Sequence, residues 1–325
     1  MSHRFLVSMG ALAAVIAVVT LAPGPAAGQA PTAAAGTRSA PRTPWGDPDL
    51  QGIWSNTTST RLERPTELAG KQVLTDQERV ALDEQAAQRR DRRPPPGNPG
   101  GYNSFWLEGG KASAQTSLVI DPADGRVPYT PEARKRADAF AATINGNGTA
   151  DSWEDRNVYE RCITRGLPGA MMPGFYNHNY HILQTPGYVV LLVEMIHDAR
   201  IIPLDGRPHL GQHIRQWMGD SRGRWEGNTL VVETTNFTDR VKDTGMTVFG
   251  TAKNSHLVER FTRVDADTID YQFTVNDATL FTSPWTAAIP MTRIEGPIFE
   301  YACHEGNYGI QNILSGARVA EKESK

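Results

Sequence analysis

The sequence predicts a mainly β protein, an antiparallel meander closed into a barrel and wrapped by a loop-rich N-terminal segment with a few helices. Three features carry this expectation. From about residue 180 onward the apolar residues recur with a period of two. The alternating runs are short and separated by turn-forming clusters such as "WEGN" and "DAD". The first third shows helical patterns and turn chemistry but little apolar material for a core of its own.

The strands follow in order. "GYVVLLVEM" is apolar on both faces, so it is expected to be covered on both sides. "NTLVVETTNF", "SHLVERFTRV", "DTIDYQFTV" and "PWTAAIPMTRI" come next. The cleanest alternation sets Ile269, Tyr271, Phe273 and Val275 against Thr268, Asp270, Gln272 and Thr274. "GPIFEYACH" closes the series. A meander of about eight strands escapes exposed edges by closing into a barrel; a sandwich is the alternative. Upstream, "TDQERVALDEQAAQRRDRR" opens with a capping-box pattern, Thr75 with Glu78, and has a thin apolar face, which places it on a surface. A second helix is expected at "TPEARKRADAFAATI", capped by Thr130 with Pro131 in the first turn. "TSLVIDP" between them reads as a strand, and Trp45 and Trp54 as aromatic anchors.

The first thirty residues read as an address. Arg4 precedes an apolar run from Phe5 to Ala22, and small residues Gly28 and Ala30 follow a helix-breaking "PGP". The run is near the roughly 18-residue spanning threshold, but this exit favours a cleaved signal peptide over an anchor. The expected organisation is a signal peptide at 1–30, a flexible leader at 31–44, a wrapping segment at 45–165, the barrel at 166–318 and a tail at 319–325. The mature chain is then soluble and periplasmic or secreted. Cleavage leaves 32 basic against 36 acidic residues. That balance gives no reason to expect nucleic acid or an anionic membrane surface as partner. Two cysteines in an oxidising compartment have one intramolecular pairing, Cys162 with Cys303.

Several polar residues interrupt apolar patterns. Glu194 follows Tyr188, Val190 and Leu192 on one strand face, and Glu259 sits between Leu257 and Phe261. A carboxylate on a buried face is costly unless paired. Arg200 and Arg222 are candidate partners, either within structural ion pairs or as counter-charges for an anionic ligand. His197 occupies a turn in "EMIHDARIIPLDGRPH", and Trp225 the next hairpin. If 298–304 is a strand, Cys303 faces outward to Cys162 and His304 faces inward, with Glu259 as its acidic companion. Glu305 and Asn307 follow beside them. The expected catalytic set is therefore His304, Glu259, Glu194 and His197, and the ligand-binding set Arg200, Arg222, Trp225, Glu305 and Asn307. "HNYH" and the His209/His213 pair lack a convincing metal-ligand spacing, and neither phosphate-loop, dinucleotide nor G-x-S-x-G patterns occur, so no metal or cofactor is expected.

"PWGDPDLQGIWSN", "TSLVIDPADGRVPYTPEARKR", "PGYVVLLVEMIHDARIIPLDGRPH", "GDSRGRWEGNTLVVETTNF" and "EYACHEGNYG" together resemble a family of exported, largely uncharacterised bacterial proteins that share these phrases. The resemblance spans nearly all of residues 44–318 and implies export without an established activity. The barrel half also looks lipocalin-like in its alternation and turns, a likeness that carries fold and not function. Three readings of function stand side by side. One is a barrel that holds a small organic molecule and performs metal-free acid–base chemistry as a lyase, isomerase or hydrolase. Another is a carrier or sensor of a small hydrophobic ligand. A scaffold whose interior is filled by its own side chains is the third.

Overall fold

The structure is a computed structural model that describes residues 41–92, 104–145, 150–238, 240 and 253–323. The signal-peptide reading and most of the leader lie outside these residues. The leader's last residues, 41–44, are ordered: Arg42 bridges Pro48 and the Thr43 amide donates to the Asp47 carbonyl.

Nine strands follow one another around a nearly closed antiparallel barrel. They are β1 (Gly52–Ser55), β3 (Asn179–Thr185), β4 (Tyr188–Val193), β5 (Ala199–Pro203), β6 (Asp220–Glu226), β7 (Thr229–Thr235), β8 (His256–Arg263), β9 (Thr268–Asn276) and β10 (Trp285–Arg293), in the spatial order β5-β4-β3-β1-β10-β9-β8-β7-β6. A short strand β2 (Val119–Asp121) pairs with β10 off this path. Three α-helices complete the described chain: α1 (Asp76–Arg90), α2 (Pro131–Asn145) and α3 (Gly309–Glu323). α1 carries the expected capping box between Thr75 and Glu78 and buries no residue, as its thin apolar face requires. In α2 the Thr130 hydroxyl accepts from the Ala133 amide.

Three assignments differ from the sequence expectation. The wrapping segment donates β1 to the barrel, between β3 and β10; Trp54 on it is fully buried, and its indole donates to the Leu50 carbonyl at 2.9 Å. Trp45, the other expected anchor, is exposed. "GPIFEYACH" forms no strand, because β1, β2 and β9 already occupy both edges of β10 and Pro297 brings no amide donor. Residues 309–323 form α3 rather than barrel end and tail; Asn307 Oδ1 accepts from the Gly309 amide and caps it.

No ladder joins β5 to β6 among the described residues; side chains close this seam. A Cβ on Gly223 of β6 would lie 2.6 Å from Leu204 Cδ2 and 2.9 Å from Ile202 Cγ2, so only glycine lets the two edges approach. Across the seam Arg200 of β5 reaches Glu259 of β8. Its Nη1 donates to Glu259 Oε1 at 3.0 Å, its Nη2 bonds the other carboxylate oxygen, and Nη2 also meets Ser221 Oγ of β6 at 3.4 Å. The Tyr271 hydroxyl donates to the same Oε1 at 3.0 Å, and Ser221 and Thr234 hydroxyls pair at 2.9 Å. Glu259 is fully buried and Arg200 nearly so. Burial works against the arginine's charge, yet the Glu259 carboxylate outweighs it and holds the guanidinium pKa above its ordinary value.

Around this pair the interior is packed with the barrel's own rings. Phe261 and Tyr271 lie 4.7 Å apart, Phe273 and Trp285 5.3 Å, and Trp54 and Tyr180 are fully buried beside them. Protein interiors of this kind are close-packed. Glu259→Gln leaves Arg200 charged without a counter-ion and is expected to lower unfolding free energy by about 3–5 kcal/mol. Combining it with Arg200→Met should lose less than the two single losses together. Denaturant titration of the four proteins checks this, and additive losses would contradict the pairing.

Candidate functional site

The two ends of the barrel are unlike. One carries the tight turns β3–β4, β6–β7 and β8–β9. The other receives the longer connections, including the β4–β5 turn, the chain entering β3, and the segment after β10. Scaffolded loops of this sort are where binding groups concentrate. Four non-glycine residues with left-handed backbone gather here: Cys162 (φ 57°), Asn177 (φ 54°), Ile196 (φ 64°) and His197 (φ 48°). Such conformations cost of order 1–3 kcal/mol each and persist only where surrounding contacts enforce them.

Those contacts are visible. Cys162 and Cys303 are disulfide-bonded over a sequence separation of 141, as expected. The segment carrying Cys303 lies across the β4–β5 turn, where the Phe299 amide donates to Glu194 Oε1 at 2.8 Å and His197 Nδ1 donates to the Tyr301 carbonyl at 3.0 Å. Glu194 Oε2 accepts from Asn179 Nδ2 at 2.7 Å, and that amide also reaches Glu108 Oε1 at 3.3 Å. Glu108 further accepts from the Asn177 amide and the Thr57 hydroxyl. One asparagine thus joins two carboxylates that fasten four separate stretches of chain. Beneath the turn, burial raises the Asp198 pKa while the Thr164 hydroxyl at 2.8 Å opposes the rise.

Arg165 stands at the centre of this end. Its Nη1 donates to His178 Nε2 at 2.7 Å, and its guanidinium lies 5.2 Å over the Tyr159 ring. Nε and Nη2 of Arg165 make no hydrogen bond, and no carboxylate pairs with it, among the described residues. His178 is buried; burial first and the neighbouring Arg165 charge second push its pKa down to about 3, so the imidazole is neutral and accepts. Glycine is obligatory at 174, since a Cβ there would fall 1.8 Å from His178 Nε2. Tyr159 and Tyr176 hydroxyls meet at 3.3 Å, and burial raises the Tyr159 pKa. The Tyr176 ring packs edge-on against Phe175 at 5.0 Å. Phe175, Phe299, Phe105 and Trp106 are all more than half exposed, and the Glu108 amide ties the Phe105–Trp106 turn to the Phe175 carbonyl.

Set beside the sequence expectations, the end unites Glu194, His197, Asn307 and both cysteines; Asn307 Nδ2 lies 3.2 Å from Cys162 Sγ. Glu194 is buried beyond the end of β4, not on the Tyr188–Val190–Leu192 face, because the inward residues are Val189, Leu191 and Val193. His304 and Glu305 are exposed in a turn. His304 does not meet Glu259, which is sealed inside the barrel with Arg200; the expected inward strand position falls with the strand itself. Arg222 is directed outward and bound to Asp220 Oδ1 at 2.6 Å. Trp225 is half-buried beside the β6–β7 turn, at the opposite end. "HNYH" does not present two histidines together: His178 is buried on Arg165, while His181 alternates outward in β3. Neither alternation nor motif spacing marks Arg165, Tyr159, Tyr176, Asn179 or Glu108 as site residues, and His178 stands out only within "HNYH". The available signal is in "RCITRG", where Arg165 stands three residues after Cys162 with no acidic residue in the stretch.

In comparisons with known proteins, no family model and no curated protein matches this chain.

Because His178 is held neutral in the fold and titrates near its ordinary 6.5 when unfolded, the unfolded chain binds the extra proton between those values. Its contribution to stability is complete above about pH 6.5 and declines by about 1.4 kcal/mol per pH unit as pH falls toward 3. His178→Gln keeps an acceptor for Arg165 without the titration. Unfolding curves across pH 4–7 should show the wild-type advantage over this variant shrinking toward acid, and a constant difference would refute the assignment.

Proposed function

We propose that this chain is an exported binding protein for a small organic anion with an apolar body, taken up at the loop-bearing end of the barrel rather than in its interior. Arg165 carries the reading: a half-buried cation with no carboxylate on it and two uncommitted edges among the described residues, oriented by a neutral histidine and backed by a tyrosine ring. Guanidinium groups in this state favour carboxylate, sulfonate or phosphate oxygens through charge-assisted hydrogen bonds. The exposed Phe175 and its neighbours supply an apolar surface next to the charge. Export is supported by the N-terminal pattern and by the disulfide, which persists in oxidising compartments. Among the described residues no helix is long and apolar enough to cross a membrane.

The aromatic sulfonate 8-anilinonaphthalene-1-sulfonate has both features and serves as the probe. Saturable fluorescence enhancement is expected with the native protein. Arg165→Met should weaken it about 10- to 100-fold, the equivalent of one charge-assisted hydrogen bond of roughly 1.5–3 kcal/mol. Native-like affinity in that variant would remove Arg165 from the site.

A second reading, acid–base catalysis at the same end, is favoured by His197. Its Nδ1–H is fixed on the Tyr301 carbonyl, and the ring is exposed on a strained backbone. If a bound substrate is turned over, His197→Gln should cut turnover by roughly 10²–10⁴-fold and leave probe affinity unchanged. Turnover equal to wild type would leave binding alone as the function.

A further inference from the structure

We infer that the wrapping segment holds a second, separate site that takes the oxyanion group, phosphate or carboxylate, of a small metabolite. It is an open cleft of about 450 Å³ lined by Arg64, Pro65, Thr66, Gln72, Asp124 and Arg126 among others, and it shares no residue with the Arg165 end.

Arg64 builds it. The side chain is over nine-tenths buried, with Nε donating to Thr116 Oγ1 at 2.8 Å and Nη1 to the Ala123 carbonyl at 2.8 Å. Its own backbone is fixed as well: the Arg64 amide donates to the Gly125 carbonyl at 2.8 Å. Both side-chain acceptors are neutral, and no carboxylate pairs with Arg64 among the described residues. Among the described residues Nη2 has no partner, unlike Nε of Arg200 it is not sealed from solvent, and Arg64 lines the cleft. A buried cation without a counter-ion is unfavourable unless something anionic completes it.

Arg126 supplies a second positive group. It is exposed, and its Nη1 rests on the Arg64 carbonyl at 3.3 Å. Two of the nearby acids accept hydrogen bonds from the chain around them. Asp124 Oδ1 accepts from the Arg126 amide at 3.0 Å, and Glu63 accepts from the Val127 amide and from Arg134. Thr66 and Gln72 add hydrogen-bonding side chains to the wall. The arrangement therefore offers one rigid guanidinium edge, one exposed guanidinium and polar neighbours, within the size range of small-molecule sites.

The test is calorimetric titration of the full mature chain with inorganic phosphate and, separately, succinate, against sodium chloride at matched ionic strength. Saturable binding of at least one oxyanion beyond chloride is expected. Arg126→Ala, an exposed change that preserves the fold, should weaken it at least tenfold. Arg64→Lys, which keeps the charge and loses the planar fork, should abolish it while Arg165→Met leaves it intact. Tighter phosphate than succinate assigns a phosphate group, and the reverse a carboxylate. Binding no better than chloride for both, or unchanged in Arg126→Ala, overturns the inference even if Arg64→Lys fails to fold.

Discussion

The pairing of Arg200 with Glu259 is the constraint on which the barrel depends. The β5 and β6 edges face each other without a ladder, so the sheet is held into a tube by side chains that cross its interior. Arg200 reaches from one edge strand past β6 and β7 to β8, and touches Ser221 on the way. Ionic groups placed there must be fully bonded, because desolvation makes an incomplete pair costly. Tyr271, Ser221 and Thr234 complete most of that bonding; Arg200 Nε remains buried without a partner. The consequence is a filled interior. A lipocalin-like outline does not here imply a lipocalin-like cavity, since seven of the largest fully buried side chains are aromatic rings.

A filled barrel relocates the binding groups to its ends, and the asymmetry of the connections chooses between them. Tight turns at one end leave little side-chain material to converge. At the other, the chain before β3, the β4–β5 turn and the segment after β10 are drawn together by the disulfide, by Asn179 between two carboxylates and by Glu194 on the Phe299 amide. These contacts over-determine a stretch of backbone that would otherwise relax out of its left-handed conformations. The same contacts consume the carboxylates. Both oxygens of Glu194 are occupied, so this residue is an architectural clasp, and the groups nearby that remain for a ligand are the Arg165 guanidinium and the exposed His197 ring.

What the sequence makes legible follows from the range of the interactions involved. Alternation in β9 and β10 reports which face is buried, and Ile269, Tyr271, Phe273 and Val275 do line the interior. Glu259 and Arg200 stand out as charges on buried faces, but nothing local says that they meet, because their strands are separated by two others. β1 is hidden for a similar reason: four residues long, it pairs with partners more than a hundred positions away. The misreading of 298–304 shows the limit of parity. Phe299, Tyr301 and Cys303 alternate as a strand would, yet a strand also needs a free edge, and edge availability is a property of the assembled sheet. α3 was legible in principle, through Asn307 as cap and the spacing of Ile310, Leu314 and Ala317.

Arg165 and Arg64 share a property that composition conceals. Acidic residues slightly outnumber basic ones in the chain, and most arginines on the barrel wall pair with a carboxylate, as Arg222 does with Asp220 and Arg224 with Glu233. Near-neutral averages of this kind say nothing about how charge is distributed between partnered and unpartnered positions. Among the described residues Arg165 and Arg64 have no carboxylate partner; both sit outside the strand ladder, on connecting chain, where each is positioned by a neutral acceptor: His178 for one, Thr116 and the Ala123 carbonyl for the other. A neutral acceptor fixes a guanidinium in space without discharging its attraction for an anion, whereas a carboxylate does both. Preorganised cations of this sort keep the ordering cost of binding low. The barrel thus acts as the rigid body, with most of its strand arginines paired to carboxylates, and the connecting chain carries Arg165 and Arg64.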